Sequence, residues 1–471
     1  MAITEYLKSR KDICKKLIDE LRKKYEYVSI LGVDTYGISI NVDRFTTNIS
    51  ESRSTERGFV IKVYDGNGYL EYSVDDINQD NFKKIVKDVK NFEVQEVSRV
   101  KAKVLADDHF TNVYSREDEN PLETEDILKI LSEIKDNTIA YDDKIINVMC
   151  GFEKLTVNKF FLTENKDLEQ DYPWCVAMVY AVARRDNNIK AGREFFGDVN
   201  SKKALTELKK ISTNACKLAI ELLDCLTIEP GVYDVITDPS ISGLIAHEAF
   251  GHGVEMDMFV KNRAKAKDYM GEYVASPIVS MHDGAAATLS VASYFFDDDG
   301  ILASDTEIIR DGILVGGMAD ALSAMQLDVN PTGNGRRETF THKAYTRMTN
   351  TFFTPGKDKL EDMIKSIDYG FYLCETNNGM EDPKNWQIQC VCEYAREIKD
   401  GKFTGRIFSP VVLSGYVLDV LKSITMVSDE FKVYGSGYCG KGHKEWVRVS
   451  DGGPHLKARV KLGWLIKKYK E

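Results

Sequence analysis

The chain has 471 residues, of which 43% are hydrophobic and 29% are charged, and its formal net charge is −11. This length exceeds what one ordinary hydrophobic core accommodates, so it favours a soluble globular protein with two domains. The acidic balance argues against nucleic acid or an anionic membrane surface as the main partner, because both attract basic proteins.

The N-terminal segment "MAITEYLKSRKDICKKLIDELRKKY" is polar, and it has no apolar core of the kind found in a signal peptide. The sequence contains no apolar run of about eighteen residues, so no membrane-spanning helix is predicted. The nine cysteines are odd in number and include no C-x-x-C pair. Together these features favour reduced thiols and a cytoplasmic location.

In chain order, the hydrophobic pattern first predicts an amphipathic helix over 3–25 and two strand-like runs within 27–42, separated by a turn. A hairpin is predicted around Asp-Gly-Asn-Gly at 65–68, because alternating runs flank it. Further helices are predicted near 80–91, 124–135 and 201–226, and strands over 144–164 and 174–196. Pro230 and Gly231 mark a boundary, which predicts an N-terminal domain over 1–226 and a C-terminal domain over 227–471.

Beyond this boundary, short strands and glycine-rich turns are interrupted by predicted helices near 239–252, 358–367 and 411–423. Strands and helices do not alternate as they do in parallel βαβ folds, so the sequence predicts an α+β fold. We expect mixed and antiparallel curved sheets, and a strand-rich C-terminal domain that carries the metal-site helix described next.

The stretch "HEAFGH" at 247–252 resembles the zinc-protease signature H-E-x-x-H, but its second histidine comes one residue late. In an ideal α-helix the rings of His247 and His252 would lie about 140° apart and could not share one ion. A π-type turn, or a helix that ends between them, would bring them together, and Gly251 and Gly253 favour either distortion. The stretch therefore predicts a metal site beside Glu248.

A catalytic zinc usually has three protein ligands and one water, so a third ligand is needed. Glu255 and Asp257 follow closely and could be ligands or acceptors for the imidazole N–H groups. Cys439 lies in the glycine-rich segment "VYGSGYCGKGH", which suits a tight loop near an ion, and a thiolate binds zinc well. His443 in the same segment is a further candidate, so these residues leave the third ligand open.

Several separated segments resemble the TldD/PmbA family of metalloproteases. "LIAHEAFGHGVEMD" is similar to the family's H-E-x-x-x-H motif and its following G-[LV]-E-x-D. "NPTGNGRRETFTHKAYTRMTNTFFTPG" resembles the P-T-G-N-G-R-R and R-M-T-N segments, and "MVSDEFKVYGSGYCGKGHKEWVRVSDGGPHLKARV" resembles the C-terminal segment with C-G-K. The resemblance is dense from about 228 to 462 and weaker from 1 to 225, and the ordered series of motifs makes it specific.

This family has a TldD type that keeps the metal motif and a PmbA/TldE type that lacks it, and the chain is similar to the TldD type. The resemblance implies that His247, His252 and Cys439 bind Zn²⁺ and that Glu248 is the general base. It also implies two α+β domains, and a dimer with a second copy or a metal-less paralogue that encloses the active site. The implied substrates are unfolded or short peptides in extended form. A histidine at position 443 departs from the expected pattern.

These residues permit peptide hydrolysis by a water that the metal and Glu248 activate. The donor that would stabilise the oxyanion is open, and the candidates for substrate contact are His342, Arg347, Asn350, Gly333 and Asn334. Two other functions are kept as alternatives. One is a regulatory or interaction protein with a structural metal, closed by a fourth ligand such as Glu255 or His443. The other is a hydrolase of non-peptide amides.

Overall fold

The computed structural model describes residues 3–91, 102–442 and 445–463. The first half of the chain forms one eight-stranded sheet, and the second half forms sheets of six, two and seven strands. Helices are interspersed among the strands without a regular βαβ order, so the predicted α+β class is confirmed. Among the described residues, no helix combines the length and apolar character needed to cross a bilayer.

The first half of the chain places its helices against one sheet. The helices are α1 (Glu5–Arg22), α2 (Phe82–Lys90), α3 (Thr124–Ile139) and α4 (Ser201–Glu221). The strands are β1 (Tyr27–Asp43), β2 (Thr47–Glu51), β3 (Glu56–Tyr64), β4 (Tyr69–Val74), β5 (Phe110–Ser115), β6 (Ile145–Leu162), β7 (Lys166–Arg185) and β8 (Asn188–Asp198). Their order is β4-β3-β1-β6-β7-β5, with β2 paired to β1 and β8 to β7, and only β5 runs parallel to its neighbour.

The predicted turn within 27–42 is wrong, because β1 is one strand of 17 residues. Gly37 lies in the middle of this strand. A methyl group there would lie 2.2 Å from the carbonyl oxygen of Lys154 on β6, so the glycine permits close approach of two strands. The predicted hairpin is confirmed, since Asp65 N–H donates to Gly68 O at 3.1 Å between β3 and β4.

The second half of the chain contains shorter elements. Its helices are α5 (Pro239–Ala246), α6 (Met256–Val260), α7 (Ala321–Leu327), α8 (Leu360–Lys365) and α9 (Val417–Lys422). Its strands are β9 (Gly231–Thr237), β10 (Met281–Asp283), β11 (Thr306–Arg310), β12 (Ile313–Leu314), β13 (Gly335–Arg336), β14 (Tyr345–Thr346), β15 (Asn350–Phe353), β16 (Tyr369–Asp382), β17 (Gln387–Lys399), β18 (Lys402–Phe408), β19 (Val411–Tyr416), β20 (Met426–Val427), β21 (Lys432–Cys439), β22 (Val447–Gly453) and β23 (Leu456–Gly463).

These strands form a six-stranded sheet in the order β12-β11-β10-β15-β22-β21 and a seven-stranded sheet in the order β16-β9-β23-β19-β17-β18, with β20 paired to β23. β13 and β14 form a small separate ribbon. The helix predicted over 411–423 is wrong in its first half, because 411–416 is β19, paired with β17 and β23. A short apolar run such as "VVLSGY" fits a buried strand as well as a buried helix.

Helix α5 is held directly against the six-stranded sheet. Its N-terminus is capped by Asp238, whose Oδ1 accepts from Ile241 N–H at 2.8 Å, and Pro239 occupies its first turn. All eight of its residues are buried. A methyl group at Gly243 would lie 2.3 Å from the backbone nitrogen of Gly452, so the helix rests on the backbone of β22. This close packing fixes the position of the residues that follow α5.

Buried charges join the two halves of the chain. Lys62 on β3 pairs with Asp299 of the second half and with Glu71, the latter at 3.1 Å. Arg337 of the second half makes a bidentate pair with the same Glu71, at 2.7 and 2.8 Å. Burial alone would lower the pKa of Lys62, but Asp299 and Glu71 outweigh burial and raise it. The ammonium is therefore charged, and its partners depend on it.

We predict that Lys62→Met lowers the free energy of unfolding by about 3–5 kcal/mol, because it leaves Asp299 buried without its cation. Urea unfolding followed by tryptophan fluorescence would measure the change. Lys210→Met is the control, because its pair with Glu207 is on the surface and should contribute less than about 1 kcal/mol. Equal effects of the two substitutions would contradict this account.

Candidate metal centre

The chain changes helix type at the "HEAFGH" stretch. Helix α5 ends at Ala246, and a π-helical turn follows over His247–Gly251. The backbone N–H of His252 donates to the carbonyl of His247, five residues earlier. Of the two distortions that the sequence left open, the structure has the π-type turn, and it brings the two imidazoles together with ring centroids 5.2 Å apart and planes at 87°.

The sequence predicts that Gly251 supplies backbone freedom for the distortion, but in the structure it makes space for a neighbouring side chain. Its φ of −68° and ψ of −71° lie in a region open to other residues. A methyl group at this position, however, would lie 2.0 Å from the Sδ atom of Met348, which is fully buried. The glycine therefore lets the side chain of Met348 pack against the π turn.

Cys439 is the third member of the cluster and the last residue of β21. Its Sγ lies 3.3 Å from the Nε2 of His252, although the two residues are 187 positions apart. One ligand atom from each of His247, His252 and Cys439 lies within 4.8 Å of the others. The structure thus brings the three predicted ligands together at one buried point.

The three side chains strongly affect each other's protonation. Burial would raise the pKa of the Cys439 thiol, but the imidazoles of His252 and His247 outweigh burial and lower it well below its usual range. In turn, burial would lower the pKa of His247, but the thiolate raises it to about 9. By contrast, burial raises the pKa of seven other thiols, which belong to Cys14, Cys150, Cys175, Cys216, Cys374, Cys390 and Cys392.

This cluster fits a zinc ion. Two imidazoles and a thiolate are ligands that zinc prefers, and three protein ligands are typical of a catalytic site. The Nδ1 of His247 is buried without a hydrogen-bond partner, and the Oδ2 of Asp451 lies 4.0 Å from it. Within the described residues, no fourth histidine, cysteine or acid joins the cluster. Position 443, a candidate from the sequence, lies outside the described residues.

Glu248 follows His247 in the π turn and is buried beside the cluster. A methyl group at Gly379 of β16 would lie 2.5 Å from the Oε1 of Glu248, so this glycine makes space for the carboxylate. Burial raises the pKa of Glu248 despite the neighbouring imidazoles. The carboxyl group is therefore closer to the pH range in which it can both accept and donate a proton.

Glu255 contacts the His252 ring on the side that faces away from Cys439. Its Oε2 lies 3.4 Å from the Nδ1 of His252, the ring nitrogen that faces away from Cys439. Its carboxylate is almost fully buried and pairs with Lys441 at 3.1 Å and with Arg347 at 3.3 Å. Burial would raise the pKa of Glu255, but these cations and His252 lower it. Glu255 is thus ionised and positioned to hold one imidazole.

Asp257 and Arg347 belong to the same network at a greater remove from the imidazoles. Asp257 pairs with Lys441 at 2.6 Å and with Lys261 at 2.9 Å. Arg347 is fully buried, and its Nη2 donates to the backbone carbonyl of Cys439 at 2.8 Å. The guanidinium therefore fixes the end of β21, which carries the thiol of Cys439. A contact between Arg347 and a substrate stays a prediction.

The other sequence candidates for substrate contact are internal or lie elsewhere. Asn334 is buried and bridges Asp283 Oδ1 at 2.8 Å and Arg347 O at 3.0 Å. Asn350 is also buried and donates through Nδ2 to Gly284 O and to two neighbouring oxygens. The carbonyl of Gly333 accepts from Tyr294, and His342 lies beside Glu338 and Glu445. Substrate contacts for these four residues stay predictions.

The structure adds residues that the sequence analysis did not identify. Gly379, Glu381 and Trp386 come from β16 and the turn after it and lie against the π turn and the residues that follow it. Both carboxylate oxygens of Glu381 are buried without hydrogen-bond partners, and a methyl group at Gly253 would lie 3.1 Å from one of them. The segment "NNGMEDPKNW" carries no metal-binding pattern, so only tertiary packing shows that these residues are close to the centre.

The chain is similar to known metalloproteases. A family model described as the PmbA/TldA metallopeptidase C-terminal domain matches residues 230–460. A metalloprotease of Methanocaldococcus jannaschii is 31% identical over 313 residues, which cover 66% of this chain and 68% of that protein. A metalloprotease of Synechocystis is 30% identical over 356 residues, which cover 74% of this chain and 75% of that protein.

Solved structures share the fold over nearly the whole chain. TldE from Thermococcus kodakarensis has a TM-score of 0.77 and 18% identity, and the match covers 96% of this chain and 100% of TldE. A Thermotoga maritima protein described as a candidate modulator of a DNA gyrase has a TM-score of 0.78 and 18% identity, and the match covers 96% and 99% of the two chains. At such low identity, these matches establish the fold alone.

We predict that Glu255→Gln weakens zinc binding by roughly 10–100-fold, because it removes the charge that holds the His252 ring. Competition with a chromophoric chelator would measure the dissociation constant, and circular dichroism would confirm folding. Asp257→Asn is the matched control, because Asp257 pairs with Lys441 but does not contact an imidazole. An equal loss in both variants would show that the charge of the network matters and the imidazole contact does not.

Proposed function

Because the chain belongs to the PmbA/TldD metallopeptidase family, we propose that it is a zinc-dependent peptidase. The observation that carries this proposal is the convergence of His247, His252 and Cys439 beside the buried carboxylate of Glu248. The proposed substrates are unfolded or short peptides in extended form. Hydrolysis would use a water molecule placed between the three-ligand centre and Glu248.

Each side chain at the candidate centre would have a separate role in the reaction. Zinc, when bound, would supply Lewis-acid polarisation of the scissile carbonyl and of a water molecule. Glu248 would accept a proton from that water and later donate it to the leaving amine, a role that suits a carboxyl whose pKa burial has raised. Glu255 would keep the His252 ring oriented, and Arg347 would keep the Cys439 backbone in place.

An extended substrate is supported by the position of β21. This strand is the last in the order of the six-stranded sheet, and it ends at Cys439. Backbone hydrogen bonds between a peptide and the edge of this strand would bring the peptide to the centre with little dependence on its side chains. Such selection would favour unfolded chains, because a folded segment has already paired its backbone groups.

We further propose that the protein acts as a dimer in the cytoplasm, with a second copy or with a metal-less paralogue. The shared fold with TldE supports a partner of similar architecture, and the nine free cysteines suit a reducing compartment.

A purely structural metal would normally have four protein ligands, whereas the cluster in the described residues has three. Because position 443 lies outside the described residues, the feature that favours catalysis over the regulatory alternative is the buried carboxylate of Glu248 beside the cluster, since a structural site needs no base.

We predict that Glu248→Gln lowers kcat for an unstructured peptide by about 10²–10⁴-fold, because the amide cannot accept the proton. Zinc content, measured by mass spectrometry of the purified protein, should stay unchanged. Glu361→Gln, on the exposed face of α8, should keep full activity. Full activity in Glu248→Gln would remove Glu248 as the base, and an inactive zinc-loaded wild-type protein would overturn the peptidase proposal.

We predict that Gly379→Ala lowers kcat by up to about 10²-fold, because the added methyl would displace the Glu248 carboxylate. Zinc content should again stay unchanged, since Gly379 contacts the base and is not part of the ligand cluster. Gly68→Ala is the control, because no heavy atom lies within 4 Å of the added methyl there. Unchanged turnover in Gly379→Ala would show that the position of Glu248 is not critical.

A further inference from the structure

A second group of metal-binding side chains lies apart from the centre described above. One ligand atom from each of Glu338, His342 and Glu445 lies within 4.8 Å of the others. Glu338 and His342 come from the segment between β13 and β14, and Glu445 precedes β22. The cluster therefore connects two segments that are distant in sequence.

His342 is already oriented for a ligand. Its Nδ1 lies 2.7 Å from the Oγ1 of Thr339, a hydrogen bond that fixes the ring and leaves Nε2 for another contact. That Nε2 lies 4.0 Å from the Oε2 of Glu338. This distance is too long for a direct hydrogen bond between the two atoms. It fits two atoms that coordinate the same ion from different sides.

Glu445 supplies an independent indication that this cluster can hold a cation. The residue is only 9% exposed, and its Oε2 is buried without a hydrogen-bond partner. A carboxylate in such a place is costly unless a positive group compensates it. Within the part of the chain that the structure describes, neither Glu338 nor Glu445 forms an ion pair with lysine or arginine.

The cluster also lies on the short segment of Glu445 and Trp446 that precedes β22. The guanidinium of Arg347 donates to the backbone carbonyls of both Cys439 and Glu445, so one side chain holds the two positions. Trp446 N–H donates to the Oε2 of Glu338 at 3.1 Å, which joins this segment to the β13–β14 connection. An ion held by all three side chains would fasten the same two segments more firmly.

We propose that Glu338, His342 and Glu445 form a second divalent-cation site that fastens the segment of Glu445 and Trp446 to the β13–β14 connection. Two carboxylates and one imidazole suit borderline or hard cations such as Mn²⁺, Fe²⁺ or Zn²⁺, and the set contains no soft ligand. His342 is 41% exposed, so water has access to the remaining coordination positions. The site is independent of the proposed peptidase activity.

Titration of the metal-free full-length protein with Co²⁺ would test the proposal. The wild type should bind about two equivalents, and only one of them should give near-ultraviolet thiolate charge-transfer absorption, because the second site has no sulfur ligand. Glu338→Gln and His342→Gln should each lose the equivalent without charge transfer and keep the other. Cys439→Ser should lose the charge-transfer absorption and keep the second equivalent.

His282→Gln is the matched control, because His282 also pairs with a carboxylate, Asp305 at 2.7 Å, but is not part of a three-ligand cluster. This variant should bind the same number of equivalents as the wild type. Binding of a single equivalent by the wild type, or of both equivalents by Glu338→Gln and His342→Gln, would overturn the proposal. A second equivalent with a dissociation constant above about 1 mM would also overturn it.

Discussion

One backbone hydrogen bond, from the N–H of His252 to the carbonyl of His247, determines the geometry of the candidate metal centre. Without this closure over five residues, the two imidazoles would point to different sides of the helix. The π turn in turn depends on its surroundings. Helix α5 rests on the backbone of β22 through Gly243, and Met348 packs where Gly251 has no side chain. The unusual helix turn is thus stabilised by close packing on both sides.

The electrostatic environment of the centre is organised around Arg347. This fully buried cation contacts Glu255, which holds one imidazole, and the backbone of Cys439, which supplies the thiol. Lys441 adds a second positive charge to Glu255 and Asp257. Because Glu255 is paired in this way, it remains ionised in a buried setting and orients the His252 ring. The centre is therefore supported by charge pairs that do not themselves contact the cluster's sulfur.

Local patterns in the sequence were sufficient for much of the fold and for part of the site. The hairpin between β3 and β4 and helices α1 to α4 follow from periodicity and turn residues. Helix geometry alone required a distortion between His247 and His252, because the spacing is incompatible with a regular helix. These predictions succeeded because each depends on residues that are neighbours in the sequence.

The remaining features depend on contacts between distant segments. The run at 27–42 reads as two strands with a turn between them, but it forms one strand in which Gly37 permits the approach of β6. "VVLSGY" reads as a helix, although it forms a strand that pairs with β17 and β23. Cys439 could not be chosen over Glu255 or His443 from the residues alone, because only the packing of β21 brings its sulfur to the imidazoles. Gly379 and Glu381 gave no signal, since their importance comes from lying against the π turn.

The buried charges between the halves affect how the two halves of the chain come together and separate. Lys62 and Glu71 come from the first half, whereas Asp299 and Arg337 come from the second, and each side contributes one cation and one anion. Separating the halves would break the Lys62–Asp299 and Arg337–Glu71 pairs, whereas Lys62 and Glu71 could stay paired within the first half. A change that opens the contact between the halves therefore also leaves a cation and an anion of the second half to find new partners, so this contact selects one arrangement of charges over others.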